Sequence, residues 1–242
     1  MRVIIPAAGV GTRLQPITDT LPKCMVDIQG RPLIYYLLRS LKRLMVSEVV
    51  IVAGHRKEVL RQYIETEVDI PPVRFINNEE YSRTNSIVSI ALTRELWHEP
   101  FCIIDSDLLI RPKLTNMLLD NEGTFLIVDD TKPYDEVDMK VQIQDGRFVT
   151  MDKTLSKESS HGEFFGLSRW MPREAKVLAK MIDEFINEGE TGVWYEWAIR
   201  KAASRIDLQV QTCGPGLWYE IDNEKDYAVA KDLMQEWAAD WR

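Results

Sequence analysis

Residues 3–26 read VIIPAAGVGTRLQPITDTLPKCMV, and the fold turns on how this stretch is read. A short apolar run of strand character, VIIP (3–6), enters the small residues Ala7, Ala8 and Gly9. Gly11-Thr12-Arg13, a proline-marked stretch and Pro22-Lys23 follow. Links between strands are normally short, whereas this one runs for about eighteen residues and keeps its cations close to glycine. That combination predicts a loop shaped around an anion. Small side chains at 7–9 let backbone N–H groups approach a base and phosphates closely. Arg13 offers a planar fork of donors for distal phosphates, and Lys23 a compact charge for a phosphoryl group that becomes more negative during reaction. A Rossmann fingerprint is excluded because Leu14-Gln15 stand where the third glycine belongs, and the Walker spacing is absent.

The rest of the chain repeats this kind of entry. EVVIVAG (48–54), FCIID (101–105) and TFLIVDD (124–130) are continuous apolar runs suited to strands buried on both faces. VRFINN (73–78) reads as a further strand. Between them lie helical patterns at 31–45, 56–65, 86–97 and near 113–120. The expected fold class is α/β, a mostly parallel mixed sheet with helices on both faces. From residue 140 the pattern changes: KVQIQ (140–144) and RFVTM (147–151) alternate by twos around Asp145-Gly146, which predicts a hairpin. EFFGLSRW, helices around 173–187 and 193–203, strands DLQVQT (207–212) and WYEID (218–222), and a helix over 224–240 complete the reading. One domain over 1–242 is expected. Its nucleotide-binding half covers about 1–130, and its acceptor-binding half, with a small antiparallel elaboration, about 131–242.

Composition narrows the function classes. The 242 residues carry a formal net charge of −8, which argues against a protein that coats nucleic acid. Cys24, Cys102 and Cys213 are scattered, with no C-x-x-C pair, so neither a disulfide framework nor a zinc site is expected. No signal-peptide pattern or membrane-length apolar run is present, and a cytoplasmic location is the expectation.

The opening motif resembles that of the sugar-nucleotide pyrophosphorylase-like nucleotidyltransferase superfamily: Ala-Ala-Gly-x-Gly-Thr-Arg-Leu-x-Pro-x-Thr at 7–18, then Pro22-Lys23. The resemblance implies a glycosyltransferase-A-like (Rossmann-like) fold, and transfer of a nucleoside monophosphate from a nucleoside triphosphate to an acceptor phosphate with release of pyrophosphate. It implies nucleotide contacts at Ala7, Ala8, Gly9, Gly11, Thr12, Arg13 and Lys23, with Arg13, Lys23 and Asp107 catalytic. Such a transfer brings two anions together, and a divalent cation, Mg2+, held by carboxylates and substrate phosphates relieves the repulsion. The resemblance assigns that metal to Asp107, in IIDSD (103–107), and Asp222, in YEID (219–222), and leaves Asp105 and Glu220 as neighbours without a fixed duty.

The remaining candidates keep two readings each. Asn85 and Ser86 help close over the base in the family, and they also suit a plain helix cap. Glu163, Trp194, Tyr195 and Glu196 are candidates for an acceptor pocket that takes a cationic head group, against a helix face buried in the core. Lys140 is a candidate for the acceptor's phosphate or phosphonate, against a surface lysine on a hairpin. PKCMV, MKVQI, GEFFGL and WYEW resemble most the branch containing bacterial cytidylyltransferases acting on phosphocholine or 2-aminoethylphosphonate. The expected partners are therefore CTP, or another nucleoside triphosphate, and a small phosphorylated or phosphonate acceptor. No nucleic acid or membrane is expected, and a homodimer is compatible. The rival readings are a sugar-1-phosphate nucleotidyltransferase using UTP or dTTP, and a catalytically silent nucleotide-sensing subunit.

Overall fold

The computed structural model of the chain describes residues 1–67 and 69–241. The opening run forms β1 (Arg2–Ala7), in which Val3, Ile4 and Ile5 are completely buried. The loop after it winds through short 3-10 turns at Thr12–Leu14, Ile17–Asp19 and Lys23–Met25. Gly11 has φ 68, and a Cβ placed there would stand 3.1 Å from the Cβ of Lys23, so the turn that presents Lys23 needs glycine. The buried Thr18 hydroxyl donates to the Gly11 carbonyl at 2.8 Å and fixes the same turn from within.

A two-residue ladder, β2 (Asp27–Ile28) with β3 (Arg31–Pro32), leads into α1 (Leu33–Arg43). Pro32 is extended and forms the cap, so this helix starts two residues later than its apolar spacing suggests. Next come β4 (Glu48–Ala53), α2 (Lys57–Thr66), β5 (Val73–Asn77) and α3 (Ser86–Ala91). The pattern expected to run as one helix to residue 97 divides after α3. The buried Thr93 hydroxyl bonds back to the Ile90 carbonyl at 2.7 Å, and a 3-10 turn at Arg94–Leu96 follows. The strands β6 (Phe101–Ile104) and β7 (Leu108–Ile110), the helix α4 (Pro112–Asp120) and β8 (Phe125–Asp129) complete the first half.

In the second half β9 (Lys140–Gln144) and β10 (Arg147–Asp152) form the expected hairpin. Asp145 (φ 52) and Gly146 (φ 75) occupy the left-handed positions that a two-residue turn demands. Then follow β11 (Gly162–Trp170), α5 (Pro172–Asn187), α6 (Glu196–Ala202), β12 (Gln209–Cys213), β13 (Trp218–Glu220) and α7 (Glu224–Trp237).

Nine strands make one mixed sheet in the order β5-β4-β1-β6-β11-β8-β12-β10-β9. β5, β4, β1 and β6 are mutually parallel, β11 runs antiparallel between β6 and β8, and β12 is parallel to β8. Successive residues of β1, β4 and β6 feed opposite faces. Val3, Ile5, Val49, Ile51, Cys102 and Ile104 pack with α1, α2 and α4, whereas Ile4, Val50, Phe101 and Ile103 pack with α3, α5 and α6. Burying a Leu or Ile of the α1 face, such as Leu37 or Leu41, contributes about 1.5–3 kcal/mol.

β7 and β13 form a separate antiparallel ribbon in which Glu220 lies opposite Leu108. A third apolar cluster ties the glycine loop (Leu14, Val26) to this ribbon (Leu109, Ile221) and to α7 (Ala230, Met234, Trp237). That cluster sets where Lys23 and Asp222 meet. Cys24, Cys102 and Cys213 are free and buried. Among the described residues no helix is long and apolar enough to cross a membrane.

Candidate active site

A cleft of about 370 Å³ opens where the parallel strands end, the place where open α/β sheets bind ligands. Ala7, Ala8, Gly9, Gly11, Thr12 and Arg13 of the loop line one wall. His55 holds that wall in place: its backbone N–H donates to the Ala8 carbonyl at 3.0 Å, and its ring Nε2 lies 2.7 Å from the Thr18 carbonyl oxygen.

At the floor, Lys23 Nζ is 2.7 Å from Asp107 Oδ2 and 2.6 Å from Asp222 Oδ1, while Arg13 Nη1 is 2.8 Å from Asp222 Oδ2. The ribbon causes this meeting. Asp107 ends the turn into β7 and Asp222 follows β13, with the Ile221 N–H bonded to the Asp107 carbonyl at 3.0 Å. The backbone N–H groups of Asp222 and Asn223 both donate to Asp226 Oδ2, at 3.0 and 3.1 Å, inside a capping box that starts α7. Carboxylate oxygens of Asp107, Glu220 and Asp222 lie within 4.8 Å of one another, an all-oxygen set that suits a hard divalent cation.

Burial by itself would lower the Lys23 ammonium, but the two flanking carboxylates outweigh it and hold the pKa above its ordinary range. Burial pushes the other way on Asp222, where Lys23 and Arg13 win and keep it low. Glu220 has no such partner, and burial together with Asp107 and Asp222 lifts it to about 8. Asp105 turns away from the triad. It is raised well above the usual carboxylate range, by burial first and then by Glu196 and Asp107, and its Oδ1 accepts from the Tyr195 hydroxyl at 3.3 Å. Its carboxyl packs on Gly166 (φ 97), where a Cβ would stand 2.3 Å from Oδ2.

Asn85 and Ser86 line the cleft, and Asn85 also caps α3. Asn85 Oδ1 accepts from the Ser86 N–H at 2.7 Å, and Ser86 Oγ accepts from the Tyr195 N–H at 3.0 Å. Asn78, which the sequence did not single out, is buried in the same wall. It donates through Nδ2 to Thr84 Oγ1 and Ser89 Oγ at 3.2 and 3.1 Å.

At the other end, Glu163, Trp194 and Glu196 line the cleft. Two expected wall residues do not. Tyr195 is a core residue, 1% exposed, whose hydroxyl donates to Asp105. Lys140 is buried with its ammonium donating to the carbonyls of Asp135 and Asp138, at 3.2 and 3.4 Å. Its charge holds the 130–139 loop rather than facing the cleft. The cation that does face it is Lys153, just after β10, 4.6 Å above the Trp194 ring. Lys132 also went unnoticed in the sequence. It pairs with Glu163 and lies 4.9 Å over Trp218, which stacks on Phe165 at 4.1 Å. Both lysines sit in polar loops whose composition resembles any solvated connection, so only proximity in the fold picks them out.

Burial lifts Glu163 to about 7 against the pull of Lys132, with Asp138 adding to the rise. Burial likewise lifts Glu196 to about 7, against its own backbone N–H and Lys153, with Asp107 pushing up. Unfolded, both carboxyls release their protons near 4.5. The stability this adds is complete below about 4.5 and is lost as pH rises through about 7. The ligand-free protein is therefore expected to lose thermal stability between pH 5 and pH 8. Glu163→Gln is expected to melt higher relative to wild type at pH 8 than at pH 5. A difference between the two proteins that does not change with pH would contradict this.

Residues 2–124 match the family model described as nucleotidyl transferase. A 2-aminoethylphosphonate cytidylyltransferase of Lancefieldella rimae is 34% identical over 241 residues, covering 93% of this chain and 90% of that protein. A choline-phosphate cytidylyltransferase of Streptococcus pneumoniae is 25% identical over 248 residues, covering 97% and 99%. The solved structure of a CTP:phosphocholine cytidylyltransferase from Streptococcus pneumoniae superposes with a TM-score of 0.79 at 24% identity, over 96% of this chain and 98% of that one. With the glycine loop, the floor cations and the acidic triad in one cleft, the protein is a nucleotidyltransferase and belongs to the nucleotidyl transferase family.

Proposed function

We propose that the protein transfers the cytidylyl group of CTP to a small phosphate or phosphonate acceptor with a cationic head group, releasing pyrophosphate, with magnesium as its metal. The observation that carries this reading is the floor of the cleft: Lys23 and Arg13 of the glycine loop meet Asp107 and Asp222 from two strand ends. The cytidylyltransferase names of the full-length relatives support CTP as the nucleotide. The acid-rich acceptor end, with Glu163 and Glu196, supports a cationic head group.

In this reading Asp107 and Asp222, with Glu220 beside them, would hold the ion. Bound there, an ion would neutralise charge on the triphosphate and polarise the phosphorus under attack. The small residues at 7–9 present backbone N–H groups to the nucleotide, and Arg13 takes the distal phosphates. Lys23, held between Asp107 and Asp222, would supply the floor charge that faces the phosphates. An oxygen of the acceptor phosphate bonds to the α-phosphorus while the bond from that phosphorus to the bridging oxygen breaks, and pyrophosphate carries away the electron pair. The acceptor oxygen is already ionised at neutral pH, so no general base is required. Lys153, on the cleft wall over the Trp194 ring, would balance the acceptor's anionic group.

Two measurements test this. Pyrophosphate release is followed with Mg2+, each nucleoside triphosphate in turn, and a panel of phosphocholine, phosphoethanolamine, 2-aminoethylphosphonate and glucose 1-phosphate. Turnover confined to CTP with an amino- or choline-bearing acceptor is expected. Turnover of UTP or dTTP with the sugar phosphate and none with CTP would replace the reading, and CTP binding without pyrophosphate from any acceptor would make the chain a sensor. Second, Lys153→Met is expected to raise the acceptor KM by about ten- to a hundredfold while the CTP KM stays within about twofold. An unchanged acceptor KM removes Lys153 from the site.

A further inference from the structure

The glycine loop is braced from outside, by His55 and Arg56 just beyond the end of β4. The His55 backbone N–H donates to the Ala8 carbonyl at 3.0 Å, and its ring Nε2 lies 2.7 Å from the Thr18 carbonyl oxygen. A carbonyl only accepts, so the ring carries a proton on Nε2. Arg56 Nε donates to the next carbonyl, that of Asp19, at 2.8 Å. Arg56 does so from φ 49, a left-handed conformation that residues other than glycine and asparagine seldom take. One more contact passes the hold inward: the buried Thr18 hydroxyl donates to the Gly11 carbonyl at 2.8 Å. The His55 ring is itself set beside Tyr81, with centroids 6.1 Å apart.

This brace decides where the loop's amides face. In a trans peptide the C=O and the following N–H point in opposite directions. With the Ala8 carbonyl turned to His55 and the Gly11 carbonyl to Thr18, the N–H groups of Gly9 and Thr12 are turned the other way. Among the described residues neither N–H has a protein acceptor, and both residues line the cleft. Unclaimed amides on a concave wall suit the oxygens of a polyphosphate. His55 and Arg56 are not part of the cleft lining, so they touch no ligand bound there. We infer that His55, with Arg56 in support, is a positioning residue for the nucleoside triphosphate: by holding the loop's carbonyls it aims the Gly9 and Thr12 amides at the phosphates. The inference rests on the nucleotide reading of the cleft and deepens it by naming the residues that shape the triphosphate site from behind.

The test compares the KM for CTP with the KM for the acceptor in wild type, His55→Leu, His55→Gln and Arg56→Met, with Mg2+ present. His55→Leu keeps the backbone donor and strips the Thr18 carbonyl of its partner. It is expected to raise the CTP KM by about five- to fiftyfold and to leave the acceptor KM within about twofold. His55→Gln returns an N–H near the Nε2 position, and its CTP KM is expected within about threefold of wild type. Arg56→Met changes an exposed side chain and is expected to raise the CTP KM by about two- to fivefold. A merely structural histidine would shift both KM values together and would draw no benefit from glutamine over leucine. Either of those results would overturn the inference while the cytidylyltransferase reading stands. Should His55→Leu not fold, an Arg56→Met variant with an unchanged CTP KM overturns it instead. If UTP or dTTP proves to be the nucleotide, the same split is expected in its KM, because the brace acts on phosphates and not on the base. If the wild type releases no pyrophosphate, the split is expected in nucleotide dissociation constants measured by calorimetry. A wild type that binds no nucleoside triphosphate would overturn both readings.

Discussion

Asp107→Asn is expected to lower kcat by about a thousandfold and to leave the folded protein intact, the scale of losing one of the carboxylates proposed to hold the ion. The asparagine is the same shape, so β6, the turn and β7 keep their packing. Lys23 also keeps a carboxylate, because Asp222 Oδ1 lies 2.6 Å from its ammonium on the opposite side. The damage would fall on the oxygen set formed by Asp107, Glu220 and Asp222, which loses one of the carboxylates proposed to hold the ion. Steady-state kinetics at saturating CTP and acceptor, with far-UV circular dichroism and melting temperature as controls, measures it. A chelator in excess is expected to silence the wild-type protein equally. Turnover within about tenfold of wild type in the Asn variant would remove Asp107 from the chemistry.

Gly166→Ala is expected to be the most damaging single methyl in the molecule. Gly166 sits at φ 97, where an L side chain is strained, and its new Cβ would approach Asp105 to 2.3 Å at Oδ2, 2.6 Å at Cγ and 2.7 Å at Cβ. Asp105 has no easy retreat. Its N–H donates to the Gly166 carbonyl at 3.1 Å, and its carboxyl accepts from Tyr195. The pairing of β11 with β8 also shifts register between Phe164 and Ser168, so the distortion lies at the middle of the sheet. Backbone strain and overpacking together cost about 2–5 kcal/mol. In a chain of this length that lowers the melting temperature by about 5–15 °C. Activity is expected to fall as well, since Asp105 stands two residues from Asp107. A variant that melts within about 2 °C of wild type would show that the close approach of Gly166 to Asp105 does not hold in solution.

Much of this was legible in the residues. VIIP, EVVIVAG and FCIID are apolar on consecutive positions, and only a strand covered on both faces uses such a run, which fixed the parallel half of the sheet. Asp145-Gly146 announced its turn because few other pairs accept two left-handed residues. The antiparallel insertion of β11 between β6 and β8 was not legible, since EFFGLSRW pairs with strands far away in the chain and local periodicity carries no record of that. Lys140 misled for a related reason. The alternation of KVQIQ says which residues share a face, but β9 pairs with both β10 and β11, and the 130–139 loop folds over Lys140, so a residue read as an acceptor ligand, or else as a surface lysine, became an internal one. Of the acidic strand ends, IIDSD and YEID were marked by resemblance to a family; their separation in the chain gives no hint that they meet. What joins them is the pairing of β7 with β13.

That ribbon has a consequence for how the protein comes into being. A chain emerging from the ribosome completes its glycine loop, Lys23 and Asp107 early, yet Asp222 is delivered only after nearly the whole second half has been synthesised. Until β13 docks on β7, the two carboxylates proposed to share one ion belong to segments that have not met. A chain truncated before β13 is thereby expected to be silent even where its amino half has folded.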